Sequence, residues 1–470
     1  MDGTLLMSDT LAELFVAALF KRPLQTIWAC RALFEGRANL KRALADGADL
    51  SFDELPVRAD LLEYLHREHG AGREIYLVSA ADQAVAERVA ARFEIFHGVH
   101  GSRDGENLKG RRKVAFLRTR FPGGFSYAGD ASADLHIWRE SASILIAGAP
   151  AGVARRARRL GPPVEAEFNR SKTRLWTWRK ALRLHQWSKN ALIFIPFLLG
   201  KHLLDPTRVA TCVVGFLLMG LAASATYLIN DLADLSADRR HRSKSLRPLA
   251  AGHLPVAQAL IAAPLMLVVA LGGMLTISTA ATLGLVGYIA LTLLYSFKLK
   301  RIPLLDAMAL ASLYTLRLII GTVLAISAFS PWLLTFSVFF FFSMSLAKRH
   351  VEVTAATGDP QIEIPGRGYR PSDAPMTLSF GAAASTAAVL IMVQYMMAEA
   401  FPSGVYDHAV ALWAAPLLVG LWICRIWLLA QRGLLDDDPV AFAVRDPVSL
   451  GMGVVLFVAF AIARFRLPHW

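Results

Sequence analysis

The chain has 470 residues, 55% of them hydrophobic, with a mean hydropathy of +0.42, too apolar for an ordinary water-soluble protein. Its net charge is +13, and basic residues cluster in short loops between apolar runs, which argues for a polytopic protein facing anionic lipid and against a nucleic-acid binder. Three scattered cysteines, Cys30, Cys212 and Cys424, suggest neither a disulfide framework nor a thiolate metal site.

In chain order, residues 1–150 read as a water-soluble α/β domain. The chain opens Met1-Asp2-Gly3-Thr4-Leu5. Residues 74–80 read as a buried strand that ends in a hydroxyl, Ser79. Residues 107–113, from Asn107 through Lys109 to Lys113, read as a loop leading into a helix. A strand beginning near Phe125 ends in two acids, Asp130 and Asp134, and 143–148 is a further strand. This ordered set resembles the haloacid dehalogenase (HAD) phosphohydrolase superfamily. The resemblance implies a doubly wound, Rossmann-like α/β fold with its site at the carboxyl ends of the strands, and a helical cap over about 10–70. It also implies roles. Ser79 would bind a phosphoryl group, Lys113 (or Lys109) would neutralise it, Asp130 and Asp134 would hold Mg²⁺, and Asp2, next to Thr4 in the opening motif, would be the general acid/base. The family pattern Asp-x-Asp-Gly-Thr places the nucleophile one residue before Met1, together with most of a central first strand. The expectation is a start set too late, and no hydrolysis of phosphate monoesters by the chain as it stands.

No signal peptide precedes this domain, so it is expected to stay in the cytoplasm. Residues 151–185 then form a basic, aromatic linker, in which Arg155, Arg156, Arg158, Arg159, Lys172, Arg174, Arg179, Lys180 and Arg183 alternate with Trp176 and Trp178. Such a segment suits the membrane interface.

From 186 to 470 the chain reads as an all-α bundle of about nine membrane spans, each near the ~20 residues needed to cross a bilayer. They fall at 187–204, 207–229, 256–275, 277–296, 305–327, 331–347, 376–399, 408–430 and 448–465. Basic residues precede the first run and follow the second, fourth, sixth and eighth, through Arg239, Lys298, Arg349 and Arg432 among others. That alternation predicts an inner or plasma membrane protein whose N-terminal domain and polar loops are cytoplasmic.

The polar motifs lie on that side. At the end of the second run, Asn230-Asp231 is followed by Asp234 and Asp238. On a helix, Asp231, Asp234 and Asp238 share one face. Three carboxylates so placed repel each other unless a cation sits between them, and hard oxygen ligands suit Mg²⁺ held with substrate phosphates. Cations follow at His241, Arg242, Lys244 and Arg247, as a metal–diphosphate complex needs. Three further constellations are Gln186-Trp187-Ser188-Lys189-Asn190, then Tyr295 with Lys298, Lys300 and Arg301, then Lys348-Arg349-His350 with Glu352. Arg317, inside the fifth run, either meets a phosphate or pairs with an acid such as Asp306. The phenylalanines of 336–342 read as lipid-facing or packing residues, or as tunnel lining. Asp436, Asp437 and Asp438 read as solvated, as do Arg445 and Asp446.

The acidic motif after the second run, with the tyrosine-lysine loop after the fourth, resembles the UbiA-type intramembrane prenyltransferase superfamily over about 185–470. The resemblance implies a helical bundle with a cavity open toward lipid, Mg²⁺ on Asn230, Asp231 and Asp234 bridging to a diphosphate, and a long isoprenoid among the helices. The family usually carries a second aspartate motif after the sixth span, whereas here that loop offers Lys348, Arg349 and Glu352. In this the chain resembles the decaprenyl-phosphate phosphoribosyltransferase branch, as it does at Gln186–Asn190 and at Arg247-Pro248. The implied reaction is Mg²⁺-dependent transfer of 5-phosphoribose from 5-phosphoribosyl-1-diphosphate (PRPP) to a polyprenyl phosphate. Lys189, Asn190, Lys244, Arg247, Tyr295, Lys298, Lys300, Lys348, Arg349 and Glu352 would handle the phosphates, and Asp238 would complete the acidic motif. Two alternatives stand beside it: transfer of an isoprenoid from a polyprenyl diphosphate to an aromatic or other small acceptor, and a transporter.

Overall fold

The computed structural model describes residues 1–29, 31, 50–103, 108–168, 174–201, 205–356, 359, 361–364, 366–435 and 439–465. Cys30, part of the expected cap (32–49), Asn107, Lys172 and Asp436, Asp437 and Asp438 lie outside the described residues. The chain forms two compact units, Met1–Arg183 with Tyr227–Pro264, and Leu184–Thr226 with Leu265–Trp470. The acidic stretch at 230–238 thus groups with the N-terminal residues.

In the first unit, α1 (Thr10–Lys21) begins at Asp9, whose carboxylate accepts the amides of Leu11 and Ala12. That cap satisfies two of the donors a helix start leaves open. α1 buries Leu14 and Ala18 in a core that includes Leu5, Leu6, Leu55, Leu61, Val89 and Ile95. α2 spans Ala59–Gly70. β1 (Tyr76–Asp82) alternates half-buried and buried residues, so Leu77, Ser79 and Ala81 face inward. It leads through α3 (Gln83–Ala90) to β2 (Gly98–Ser102), which pairs with it in parallel. α4 (Arg111–Arg120) precedes a second parallel sheet, in the order β3 (Ser126–Gly129), β4 (Ser143–Ala147), β5 (Val164–Phe168). Trp138, Ile144 and Ile146 fill its core, with α5 (Ala151–Ala157) packed on it.

A doubly wound fold short of most of its central first strand was the expectation, and the described residues form two separate parallel sheets. Both β1 and β3 keep one edge without a strand among the described residues. A cavity of about 480 Å³ lies there, lined by residues of β1 and β3 with Met1, Thr4 and Leu5. Nothing described occupies the central place that joins two parallel half-sheets into one. A side-chain clip ties the second sheet to α2: Arg73 Nη1 meets Glu165 on β5 at 2.5 Å, its Nη2 meets Ser126 on β3 at 2.6 Å, and the Tyr64 hydroxyl donates to Glu165 at 2.5 Å. Hydrogen bonds from Arg73 hold the Glu165 carboxyl down at about 2.

Eight described helices are long and apolar enough to cross a membrane, judged by length and composition. They are α6 (Pro206–Ala233), α7 (Val256–Ile277), α8 (Thr279–Phe297), α9 (Leu305–Leu324), α10 (Pro331–Ala355), α11 (Ala374–Tyr395), α12 (Ala414–Gln431) and α13 (Pro447–Arg464). The first of the nine expected runs, 187–204, is not a long helix. It forms a 3₁₀ stretch, Leu184–Phe194, and a short α-helix, Ile195–Leu199. Runs of 3₁₀ this long are uncommon and need outside support. Here the support is tertiary. A Cβ on Gly321 of α9 would lie 2.2 Å from the Ile193 carbonyl oxygen, and one on Gly220 of α6 would lie 2.6 Å from the Trp187 ring. The Trp187 indole N–H also donates to Ser224 at 3.0 Å.

Within the second unit, α10, α11 and α12 are joined by polar clips. Ser343 Oγ donates to the Gly381 carbonyl and accepts from Trp427 Nε1, each at 3.0 Å. His350 joins Thr377 at 2.9 Å and Gln431 at 2.8 Å. Phe341 stacks on Tyr314 and Phe340 on Trp422, so these two phenylalanines are packing residues. Val268, Leu283, Leu390, Leu417 and Phe457 are each at least 62% exposed. Such a surface is costly in water and suits lipid.

Candidate active site

The acidic motif begins inside α6 and continues past its end. Asp234 donates its amide to the Asn230 carbonyl at 2.9 Å, and Asp238 to the Asp234 carbonyl at 2.8 Å. The helical repeat therefore runs on into the short helix Leu235–Arg240, which keeps the acids on one side. Asp231 and Asp238 are buried, at 3% and 2% exposure, while Asn230 and Asp234 are half-buried.

Arginines are seated on these acids. Arg247 Nη1 bridges Asp231 Oδ1 at 3.1 Å and Asp238 Oδ2 at 2.5 Å. Arg183 Nη2 reaches Asp231 Oδ1 at 2.5 Å, with its guanidinium 4.8 Å from the Tyr227 ring centre. Arg183 holds a left-handed backbone, φ 50°, which is unfavourable for a side chain of this size. As part of the basic linker, Arg183 gave no local signal of this contact. Lys180 Nζ donates to the Leu246 carbonyl at 3.1 Å, and Lys244 is exposed.

Two carboxylates that converge on a single cationic nitrogen form a cation-accepting position built of hard oxygens. That donor set fits Mg²⁺, with Asp234 and Asn230 on the adjoining turn. Among the described residues, no three His, Cys, Asp or Glu side chains converge as a ready metal site. Loading such a site with metal requires Arg247 to give up the space between the acids.

The second unit holds the other constellations. Asn190, 1% exposed, accepts Arg317 Nε at 2.9 Å, and its own Nδ2 has no partner. Arg317 also donates to the Leu313 carbonyl at 2.6 Å and to the Tyr288 hydroxyl at 3.0 Å, and lies against the Tyr288 and Tyr314 rings. Lys189 Nζ sits 5.9 Å from the Tyr314 ring centre. No described acid pairs with Arg317, and Asp306 is engaged elsewhere.

Asp306 is fully buried and accepts Arg349 Nε at 2.5 Å and the Tyr369 hydroxyl at 2.7 Å. Arg349 Nη1 meets Glu352 at 2.5 Å, and Arg367 Nε meets the same carboxylate at 3.3 Å. Tyr295 accepts from both arginines at 3.3 Å. Arg349, expected to touch phosphate, is thus tied into an internal network with Glu352. Burial and the neighbouring Asp306 charge push the Tyr369 phenol well above its ordinary value. Lys298 is exposed, whereas Lys300 and Lys348 are half-buried. Asp306, Arg367 and Tyr369 belong to this network without having formed a sequence motif.

The α/β residues also gather. Thr4 Oγ1 donates to Asp130 at 2.8 Å, and Lys113 Nζ reaches the Val78 carbonyl at 3.3 Å and Tyr127 at 3.2 Å. Burial raises the carboxyls of Asp2 and Asp130, and burial lowers the Lys113 ammonium against the opposing charges of Asp134, Asp2 and Asp130. Asp2 accepts both the amide and the hydroxyl of Thr10 at 3.2 Å. Asp134 takes the amides of Asp130 and Ala131 at 3.0 and 2.9 Å, so it shapes the turn that presents Asp130. Ser79 Oγ accepts the Ala81 amide at 3.1 Å, and Lys109 is exposed.

Eight apolar helices with lipid-suited surfaces, and polar side chains massed at the end of one of them, define an integral membrane protein with a built polar site. A family model described as the UbiA prenyltransferase family matches residues 191–444, just over half of the sequence, and the chain belongs to that family of membrane transferases. It is 42% identical, over 98% of its length and 90% of the relative, to the uncharacterized protein y4nM of Sinorhizobium fredii (strain NBRC 101917 / NGR234). It is 35% identical to the decaprenyl-phosphate phosphoribosyltransferase of Mycobacterium tuberculosis (strain ATCC 25618 / H37Rv), over 38% of this chain and 60% of that enzyme. Among solved structures, a UbiA homolog from Archaeoglobus fulgidus bound to GPP and Mg²⁺ aligns with a TM-score of 0.45 at 16% identity, covering 61% of this chain and 98% of that one.

Proposed function

We propose that the chain transfers 5-phosphoribose from PRPP to a polyprenyl phosphate at the cytoplasmic side of the membrane. The bond from the ribose anomeric carbon to pyrophosphate breaks, and a bond from that carbon to a lipid phosphate oxygen forms. The reading is carried by the arginines seated on the acidic helix end, above all Arg247 between Asp231 and Asp238. Acids and guanidiniums so interleaved are the complement of a diphosphate–metal complex. Asn230, Asp231 and Asp234 would hold Mg²⁺, with Asp238 beside them; when bound, Mg²⁺ neutralises the leaving pyrophosphate. Arg247 and Arg183 then turn to phosphate oxygens, joined from the loop by Lys244. Lys189, Asn190 and Arg317 offer a second set of donors, and Lys298, Lys300 and Lys348 further cations. Arg349 and Glu352 hold Tyr295 and Arg367 in place. The lipid phosphate is already an anion, so no strong general base is required. Similarity to a decaprenyl-phosphate phosphoribosyltransferase supports this branch of the family, as does the stretch 348–352, which lies in the last turns of α10 instead of the expected loop and is basic rather than aspartate-rich.

The domain reading is 1–150, 151–185 and 186–470. The first of these we read as HAD-like, with Asp2, Thr4, Ser79, Lys113, Asp130 and Asp134 as its phosphoryl site and Asp130 as the metal-binding acid. The gathering of Thr4, Lys113, Asp130 and Asp134 supports that assignment.

The test is transfer of radiolabel in membranes containing the protein and Mg²⁺. One arm supplies labelled PRPP with polyprenyl phosphate, the other polyprenyl diphosphate with 4-hydroxybenzoate. Lipid-soluble label from PRPP is expected, and Asp231→Asn should lower it on the order of 10²-fold or more with the protein still folded. Prenylated benzoate in its place would move the assignment to the prenyl-transfer alternative.

A further inference from the structure

The acidic helix end is braced from a direction that transfer chemistry does not require. Arg239 follows Asp238 directly, and its side chain is 6% exposed. Its guanidinium makes a two-pronged pair with Glu13 of α1, Nη2 to Oε1 at 2.6 Å and Nη1 to Oε2 at 3.1 Å. Glu13 is 2% exposed and accepts the Ser8 hydroxyl as well. Arg239 Nε donates to the Ala250 carbonyl at 3.3 Å, on the far side of the same loop. Two more contacts lie alongside. Ser236 donates to Glu54 at 2.6 Å. Gly252, at φ +70°, leaves no room for a side chain, because a Cβ would lie 2.7 Å from Met7 Cβ and 3.0 Å from the Met7 carbonyl oxygen.

We infer that Glu13 is a positioning residue of the transferase: through Arg239 it sets the rotation of the short helix Leu235–Arg240 and so the direction of Asp238. Successive side chains on a helix point about 100° apart. Asp238 faces Arg247 and its neighbour Arg239 faces Glu13, so the helix cannot turn about its axis without breaking one pair. A buried ion pair adds little net stability over an apolar pair of equal volume, and its best-attested use is to fix register. The assignment makes the N-terminal α/β part a fixed support for the acids. It rests on the reading that these acids hold the metal and diphosphate.

The experiment uses the full chain in detergent with PRPP and polyprenyl phosphate. It measures the Mg²⁺ concentration for half-maximal transfer beside the thermal midpoint. Glu13→Gln should raise that concentration about ten-fold, the scale on which partners behind metal ligands act. Glu13→Asp, which keeps the charge, should recover part of the shift. Glu54→Gln, at a more exposed contact, provides a milder variant should Glu13→Gln fail to fold, with a shift of about two-fold in the same direction. A folded Glu13→Gln or Glu54→Gln protein with the parent's Mg²⁺ dependence overturns the inference. Asp231→Asn separates the two levels. If it is inactive while the Glu13 variants behave as the parent, only the positioning role falls. If it stays active, the acidic-site reading falls and takes this inference with it.

Discussion

Asn190 and Arg317 carry the plainest residue-scale conflict in the protein. A guanidinium at 5% exposure has only neutral oxygens and ring faces for company among the described residues, and the amide beside it leaves one nitrogen unbonded. An unsatisfied buried donor costs about 1–3 kcal/mol. Asn190→Asp replaces the orphaned nitrogen with an acceptor and gives Arg317 a counter-charge. The thermal midpoint should rise while transfer from PRPP falls, because Arg317 is then occupied. Transfer at the parent rate in a stabilised Asn190→Asp protein would show Arg317 to be a packing residue. Asp306 illustrates why such partnerships escaped the sequence. Its ligands, Arg349 and Tyr369, lie 43 and 63 residues away and follow no local period. Asp231, Asp234 and Asp238 could be grouped beforehand because a helical repeat places them on one side. Which cations would sit on them could be read for Arg247, nearby on the same loop, and not for Arg183.

At the scale of elements, the clip between α2, β3 and β5 gives a pH dependence. Glu165 titrates near 2, well below its ordinary 4.5, because Arg73 bonds its charged form. A carboxyl depressed by folding stabilises the fold above its unfolded value, and that contribution is lost as pH falls from about 4.5 toward 2. Asp2 and Asp130, raised by burial, act with the opposite sign and lose their contribution as pH climbs above 3.8. The difference between parent and Glu165→Gln isolates the clip. Unfolding free energies should differ above pH ~4.5 by no more than about 1 kcal/mol, since the pair is partly exposed, and converge near pH 2. A constant gap down to pH 2 would remove the clip as its cause. Several strands could be anticipated from buried runs ending in turn residues. The two sheets part between β1 and β3, the place where the HAD-like pattern already lacked most of its central first strand. Hydropathy likewise marked 187–204 as a span. It could not show a 3₁₀ path, because that path follows from the close backbone of Gly321 and the bare surface of Gly220.

For the molecule as a whole, composition already separated a soluble part from a lipid-facing one, and eight of the nine expected spans stand as long helices among the described residues. The grouping of 227–264 with the N-terminal residues was not foreseeable. The partners in that grouping, Glu13 and Arg239, are 226 positions apart. Their pairing alters what the covalent thread between the two parts is for. If side chains at 7–13 and 52–56 already grip 236–252, the two parts are held together without the covalent link between Phe168 and Arg174. Severing it with an inserted protease site should leave both fragments eluting together in detergent and transfer intact. Fragments that part on cutting would show that the grip depends on the link. In a genome, the same grip would let the two parts be encoded as separate polypeptides and still assemble, provided that the acid at 13 and the arginine at 239 were inherited as a pair.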